Sequence, residues 1–319
     1  MNETIKAYAK LMRVGNLAFI AILLYAMESW VAVPLLRDQS VMPWWVLSLL
    51  ILSVVCVAAG GYVINDYFDV KIDRINRPDD LIVTHIISRD GAMRLFQILT
   101  LVGVGCGAAV SWWAHSWNLL FIYIVIPGLL WFYSASYKRM FLLGNIIVAF
   151  VSAIVPLLVA IANADHLLYL SGTRGHFTPV IGDLYVWLSG FAAFAFLITL
   201  PREMVKDIED IEGDREYECR TIPIVLGIKT TKIIVTVLLS IAVILVNYIV
   251  FSILPLPHNF YALSTRFAIF GIGIPAVSAI FLLWAAKTTL EYHRVQLIIK
   301  FVMFIGTMFS YVIYANLMA

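Results

Sequence analysis

Charge is what this chain has least of. Only 13% of its 319 residues are charged, about half the share usual in a soluble domain, and the mean hydropathy is +0.93. A water-soluble globular fold is excluded. Cysteine is nearly absent too: Cys56 and Cys106 fall inside apolar runs and Cys219 in a polar segment, so no pair is placed to form an extracellular disulfide. The net charge is +2 and the basic residues are scattered over several segments rather than gathered in a stripe, which excludes a nucleic-acid partner. There is no low-complexity stretch and no long linker, so 1–319 reads as a single integral membrane domain, all-α and polytopic.

What fills the chain instead is apolar sequence. Nine runs approach the roughly 20 residues that a membrane-spanning helix needs, at about 17–36, 43–65, 92–113, 117–136, 143–163, 186–204, 232–253, 267–286 and 297–317. The first follows Lys6, Lys10 and Arg13 as a signal peptide's apolar region would, but it is too long and lacks a small-residue cleavage site, so it counts as a helix. With the N-terminus inside, 19 of the 22 basic residues fall on inner segments, leaving Arg37, Arg174 and Arg266 outside. That asymmetry supports both the count and the orientation: the N-terminus and acidic loops cytoplasmic, the C-terminus outside, in a bacterial or archaeal cell membrane. An outer loop over 164–185 holds His166 and His176 without metal-ligand spacing and reads as solvated. Pro127, Pro156 and Pro275 sit mid-helix, where each removes a backbone hydrogen bond.

The acidic residues are concentrated. Fourteen of the 20 carboxylates lie in two inner segments, after the second and sixth runs. The first segment carries NDYFDVKID, Asn65 to Asp73, and the second KDIEDIEGD, Lys206 to Asp214. Asp66, Asp69 and Asp73, and again Asp207, Asp210 and Asp214, are spaced i, i+3, i+7, which on a helix puts three carboxylates within about 60° of arc. Like charges that close repel unless a cation neutralises them, and hard oxygen ligands suit Mg²⁺, which takes one or two carboxylates together with substrate phosphates. A diphosphate is the natural bridging ligand. Asn65, four residues before Asp69, adds a neutral oxygen, and Gly213 is expected to end the helix and leave Asp214 on a turn. Glu28 is the carboxylate placed within the first apolar run, where charges are costly and usually face a cavity; acceptor binding or proton removal are its possible roles, beside a position near the outer interface.

These residues resemble the UbiA superfamily of intramembrane prenyltransferases. The likeness runs over most of the chain, through RVGN (Arg13–Asn16), NDYFDVKID, INRP (Ile75–Pro78), YSASYKR (Tyr133–Arg139), Gly144–Asn145 and KDIEDIEGDRE (Lys206–Glu216). With REMVKD before the last of these and CRTIPIVLG after it, the sequence is most similar to the branch containing geranylgeranylglycerol-phosphate geranylgeranyltransferases. It departs from the family after INRP, where PDDLIVTHIISRD stands in place of a basic, Pro-rich stretch. The resemblance implies nine helices around a lipid-accessible cavity and a Mg²⁺-dependent transfer of a prenyl group, geranylgeranyl, from an isoprenyl diphosphate to a lipophilic acceptor. That acceptor is either the hydroxyl of a geranylgeranylglyceryl phosphate-type lipid or an aromatic quinone precursor.

By the same likeness Asp66, Asp69, Asp207, Arg77 and Lys138 are catalytic. Asn16, Asn65, Arg74, Tyr133, Arg139, Asn145 and Lys206 bind substrate, and the six aspartates hold metal. Tyr67, Phe68, Tyr133 and Tyr137 lie near the motifs as aromatic faces for an allylic cation. A membrane transporter is the alternative from another class, but it would place charges at the bilayer midplane rather than at one face.

Overall fold

The computed structural model describes residues 3–37, 41–76, 78, 81–172, 178–253 and 258–318. Among these, nine helices are long and apolar enough to cross a membrane: α1 (Val14–Leu36), α2 (Trp44–Asn76), α3 (Arg89–Ala114), α4 (Trp117–Ala135), α5 (Leu143–Leu170), α6 (Pro179–Glu209), α7 (Ile228–Phe251), α8 (Ala262–Ala285) and α9 (Thr289–Ala315). The described residues contain no strand, only one isolated bridge, Val83 to Ile87. An amphipathic helix, Glu3–Leu11, precedes α1.

The helices begin where the sequence supplies caps. Ser88 accepts from the Gly91 amide at 3.0 Å to open α3, and Ser116 from Leu119 at 3.1 Å to open α4. Thr178, followed by Pro179, opens α6, and Thr288 with Glu291 forms a capping box for α9. Pro127 and Pro156 lie inside α4 and α5, whereas Pro275 follows a π-helical turn, Phe267–Gly273, within α8. A second such turn, Met27–Ala32, carries Glu28.

Several helices are longer than their apolar runs. At 1.5 Å per residue the 33 residues of α2 span about 50 Å and the 31 of α6 about 46 Å, against about 30 Å of hydrocarbon. Both run on past the apolar stretch, so the polar turns that carry the aspartates are still helix. The expected outer loop 164–185 is likewise largely helix, the end of α5 and the start of α6; Arg174 and His176 lie outside the described residues. His166 stacks on Trp113, centroids 3.9 Å apart.

The helices pack around two main cores. One, at the end away from the aspartates, joins α1 through α6 by residues such as Leu24, Met27, Leu50, Leu119, Val159 and Leu188. The other joins α6, α7, α8 and α9 through Ile198, Val235, Leu239, Ile272, Leu283 and Val302. Close approach uses small residues, as membrane helices do: Ser53 donates to the Gly103 carbonyl at 2.7 Å, and a Cβ on Gly103 would stand 2.8 Å from the Val57 side chain. The outside is apolar, with Leu101, Phe121, Val186 and Phe281 exposed as lipid-facing side chains are, and with Trp44, Trp112 and Trp117 as interfacial aromatics.

Candidate active site

Both aspartate clusters line one cavity of about 270 Å³ at the shared polar end of α2 and α6. Asp66, Asp69 and Asp73 enter it from α2, whose helical period keeps them on one side. From the other motif, Asp207 stands on α6, Asp210 caps that helix, and Asp214 belongs to a separate short helix, Ile211–Glu216. The helix therefore breaks at Asp210 rather than at Gly213. Gly213 instead joins the two motifs. Its amide donates to Asn76 Oδ1 at 2.8 Å, and Asn76 Nδ2 donates to the Asp210 carbonyl at 3.1 Å. A Cβ on Gly213 would stand 2.6 Å from the Asn76 amide, so glycine lets the end of α2 clamp the second motif.

The side chains in this cavity are paired across elements. Arg13 donates to Asp66 at 2.9 Å and lies over the Tyr62 ring at 4.8 Å. It does so from a left-handed backbone conformation, φ 53° and ψ 53°, that costs a non-glycine residue about 1–2 kcal/mol and turns the N-terminal helix into α1. Lys138 pairs with Asp69, which also accepts from Asn65 Nδ2 at 2.7 Å. Asn145 donates to Asp207 at 2.8 Å.

The Gly144–Asn145 pair explains how two elements meet here. A Cβ on Gly144 would stand 2.8 Å from the Lys138 Cα, so glycine seats the Tyr137–Arg139 turn on α5 while Asn145 reaches α6. Burial lowers the Lys138 ammonium below the usual lysine range, against the pull of Asp69. Burial, with Asp210 adjacent, pushes Asp214 up to about 7. Seven carboxylates face five cations around this cavity, an excess of negative charge that a further cation would relieve.

A second cavity, about 420 Å³, meets the first at Arg13, Asn65, Tyr133, Glu203 and Lys206. Its walls are mostly apolar, with Val54, Val57, Ile126, Leu130, Val155, Phe191 and Phe194 among them. Asn16 lines this one only, on the side toward Lys300. The segment that departs from the family pattern acts as an apolar cap: Leu81, Ile82 and Val83 close the first cavity, and Ile82 and Val83 pack with Ala7 and Leu11 of the N-terminal helix.

Most of the residues singled out in the sequence come to these cavities. Asn65, Tyr133, Lys138, Arg139, Asn145, Lys206 and the six aspartates all do. Arg74 does not: one residue beyond Asp73, it is turned about 100° round the helix and is exposed. Arg77, Asp79 and Asp80 lie outside the described residues. Of the four aromatics near the motifs only Tyr133 faces the site; Tyr67 stacks under Arg89 at 4.5 Å, Phe68 packs on Trp131 and Tyr137 on Phe132.

Glu28 is buried and accepts from Asn163 at 2.7 Å, lining neither cavity. It ties α1 to α5. Sequence reasoning missed Tyr62, Asn76, Arg202 and Lys300. Asn76 stood in INRP and Arg202 in REMVKD, but nothing in the sequence marked their partners.

The arrangement has counterparts. The UbiA prenyltransferase family matches residues 29–308. The digeranylgeranylglyceryl phosphate synthase of Sulfolobus acidocaldarius is 32% identical over 75% of this chain and 76% of its own. The synthase of the same name from Thermococcus gammatolerans is 29% identical over 98% and 99%. A solved structure from work on digeranylgeranylglyceryl phosphate synthase in membranes aligns over 99% of both chains, with a TM-score of 0.64 at 24% identity. A UbiA homologue from Archaeoglobus fulgidus bound to GPP and Mg²⁺ aligns over 96% of this chain and 99% of its own, with a TM-score of 0.55 at 16% identity. At such identities the solved structures speak for the fold, and the sequence matches speak for descent. A family match over most of the length, joined by a relative above 30% identity across three quarters of it, means that this chain is a membrane-embedded enzyme of the UbiA prenyltransferase family.

Proposed function

We propose that the enzyme transfers a geranylgeranyl group from its diphosphate to the hydroxyl of a geranylgeranylglyceryl phosphate-type lipid, with Mg²⁺ held by the two aspartate clusters. The observation that carries this is the junction of a cavity lined by six aspartates with a larger apolar one. The first suits a metal-bound diphosphate and the second a prenyl chain. Relatives named for digeranylgeranylglyceryl phosphate synthesis support the choice of acceptor.

The donor set fits Mg²⁺, because every candidate ligand is a hard carboxylate or amide oxygen. Among the described residues no three of His, Cys, Asp and Glu are gathered as a ready-made ligand group, so each cluster would close on an ion together with the phosphate oxygens. Asp66, Asp69 and Asp73 would hold one ion and Asp207, Asp210 and Asp214 another, with Asn65 supporting. Mg²⁺ held there would neutralise the diphosphate and make it a better leaving group.

The chain's own residues do the rest. Arg13 and Lys138 rest on Asp66 and Asp69 and are the cations within reach of phosphate oxygens at that face, with Arg139, Lys206 and Arg77 assigned the same role. Tyr133 lines both cavities, so its ring borders the carbon that parts from the diphosphate and steadies positive charge there. The apolar walls keep water from that cation.

Labelled geranylgeranyl diphosphate offered to the purified enzyme with a panel of acceptors tests the assignment. The expected product is the glyceryl phosphate diether; prenylation of an aromatic acceptor alone would replace this choice with a quinone precursor.

A further inference from the structure

A cationic pair on the wall of the apolar cavity has no part in the diphosphate chemistry above. Lys300, from α9, donates from Nζ to Asn16 Oδ1, a neutral partner, and no carboxylate pairs with it among the described residues. Arg202, from α6, pairs through Nη2 with Glu203, while its Nε is buried without a hydrogen-bond partner. Both side chains line the same cavity. Of the carboxylates on this cavity, Glu203 pairs with Arg202, and Glu209 meets Gln296 and His293, so the Lys300 charge beside apolar walls is one that a bound anion would offset.

We propose that Lys300 and Arg202 bind the phosphate of the acceptor lipid and so make the enzyme selective for a phosphorylated acceptor. This rests on the acceptor class proposed above and adds the residues that recognise it. Arg202 precedes Asp207 by five residues, about 7.5 Å along the helix and about 140° around it, so the pair faces a different side from the metal ligands. Lys300 and Arg202 line only the second cavity, whereas the aspartates line only the first. An acceptor with its phosphate on this pair would share the apolar cavity with the donor's chain, and that cavity meets the diphosphate site at Tyr133. Asn16, the partner of Lys300, also donates to the Tyr62 hydroxyl at 3.4 Å, and the Tyr62 ring lies under Arg13, which holds Asp66.

The test compares three Michaelis constants in wild type, Lys300→Gln and Lys300→Arg: for geranylgeranylglyceryl phosphate, for the same lipid without its phosphate, and for geranylgeranyl diphosphate. Lys300→Gln should raise the KM for the phosphorylated acceptor about ten- to a hundredfold, the effect of losing one charge-assisted hydrogen bond. It should leave the diphosphate KM and that for the dephosphorylated lipid near wild type, and Lys300→Arg should restore most of the loss. An equal rise for both acceptors, a rise for the diphosphate alone, or no change overturns the proposal while leaving the acceptor assignment standing. A wild type that never uses the phosphorylated lipid overturns both.

Wild-type melting supplies a check that needs no variant to fold. Geranylgeranylglyceryl phosphate should raise the melting temperature more than its dephosphorylated form does, and equal shifts count against the pair.

Discussion

Single contacts decide how the two acidic motifs face one another. Asn76 stands at the end of α2 and grips the second motif through two hydrogen bonds, at Gly213 and at the Asp210 carbonyl. A methyl group on Gly213 would displace that amide and cost both bonds. Gly213→Ala should therefore destabilise the protein by about 1–3 kcal/mol, read as a lower melting temperature in detergent together with reduced turnover. Asn76→Ala removes the obstacle and the bonds at once, so the double variant should be less impaired than the two single losses added together. Additive losses would mean that the contact is incidental.

Helices set where these residues stand, and one face of α3 shows how narrowly. A Cβ on Gly103 would stand 3.0 Å from the Ser53 carbonyl and 3.1 Å from the Val57 amide, backbone atoms of α2 that cannot move aside, whereas nothing lies within 4 Å of a Cβ on Gly105. Gly103→Leu should cost about 1–3 kcal/mol and lower the melting temperature, while Gly105→Leu on the lipid side should leave it nearly unchanged.

The same scale shows what the sequence could reveal. The aspartate spacing was legible on α2 because the helical period is local, whereas the break at Asp210, which puts Asp214 on a separate short helix, was not. Helix ends were less legible: hydropathy marks where the bilayer stops, not where the backbone hydrogen bonds stop, so α2 runs on to Asn76 and α5 to Leu170. Arg13 with Asp66 and Lys300 with Asn16, 53 and 284 residues apart, are products of packing that leave no pattern in the chain.

At the scale of the whole molecule, nine helices among the described residues build a chamber that is polar at one end and apolar along its length. The distribution of basic residues predicts that the polar end faces the cytoplasm. An alkaline phosphatase fused at the C-terminus should then be active, and one fused in the 217–221 segment inactive; the reverse would invert the enzyme in the membrane.

If the two aspartate clusters jointly ionise a prenyl diphosphate, as proposed, pyrophosphate release depends on both of them. Purified enzyme given geranylgeranyl diphosphate and acceptor should release pyrophosphate only with Mg²⁺. Asp66→Ala and Asp207→Ala should each lower that rate about a hundredfold or more. Undiminished release in both variants, or release that persists after the metal is chelated, would mean that the clusters do not ionise the diphosphate.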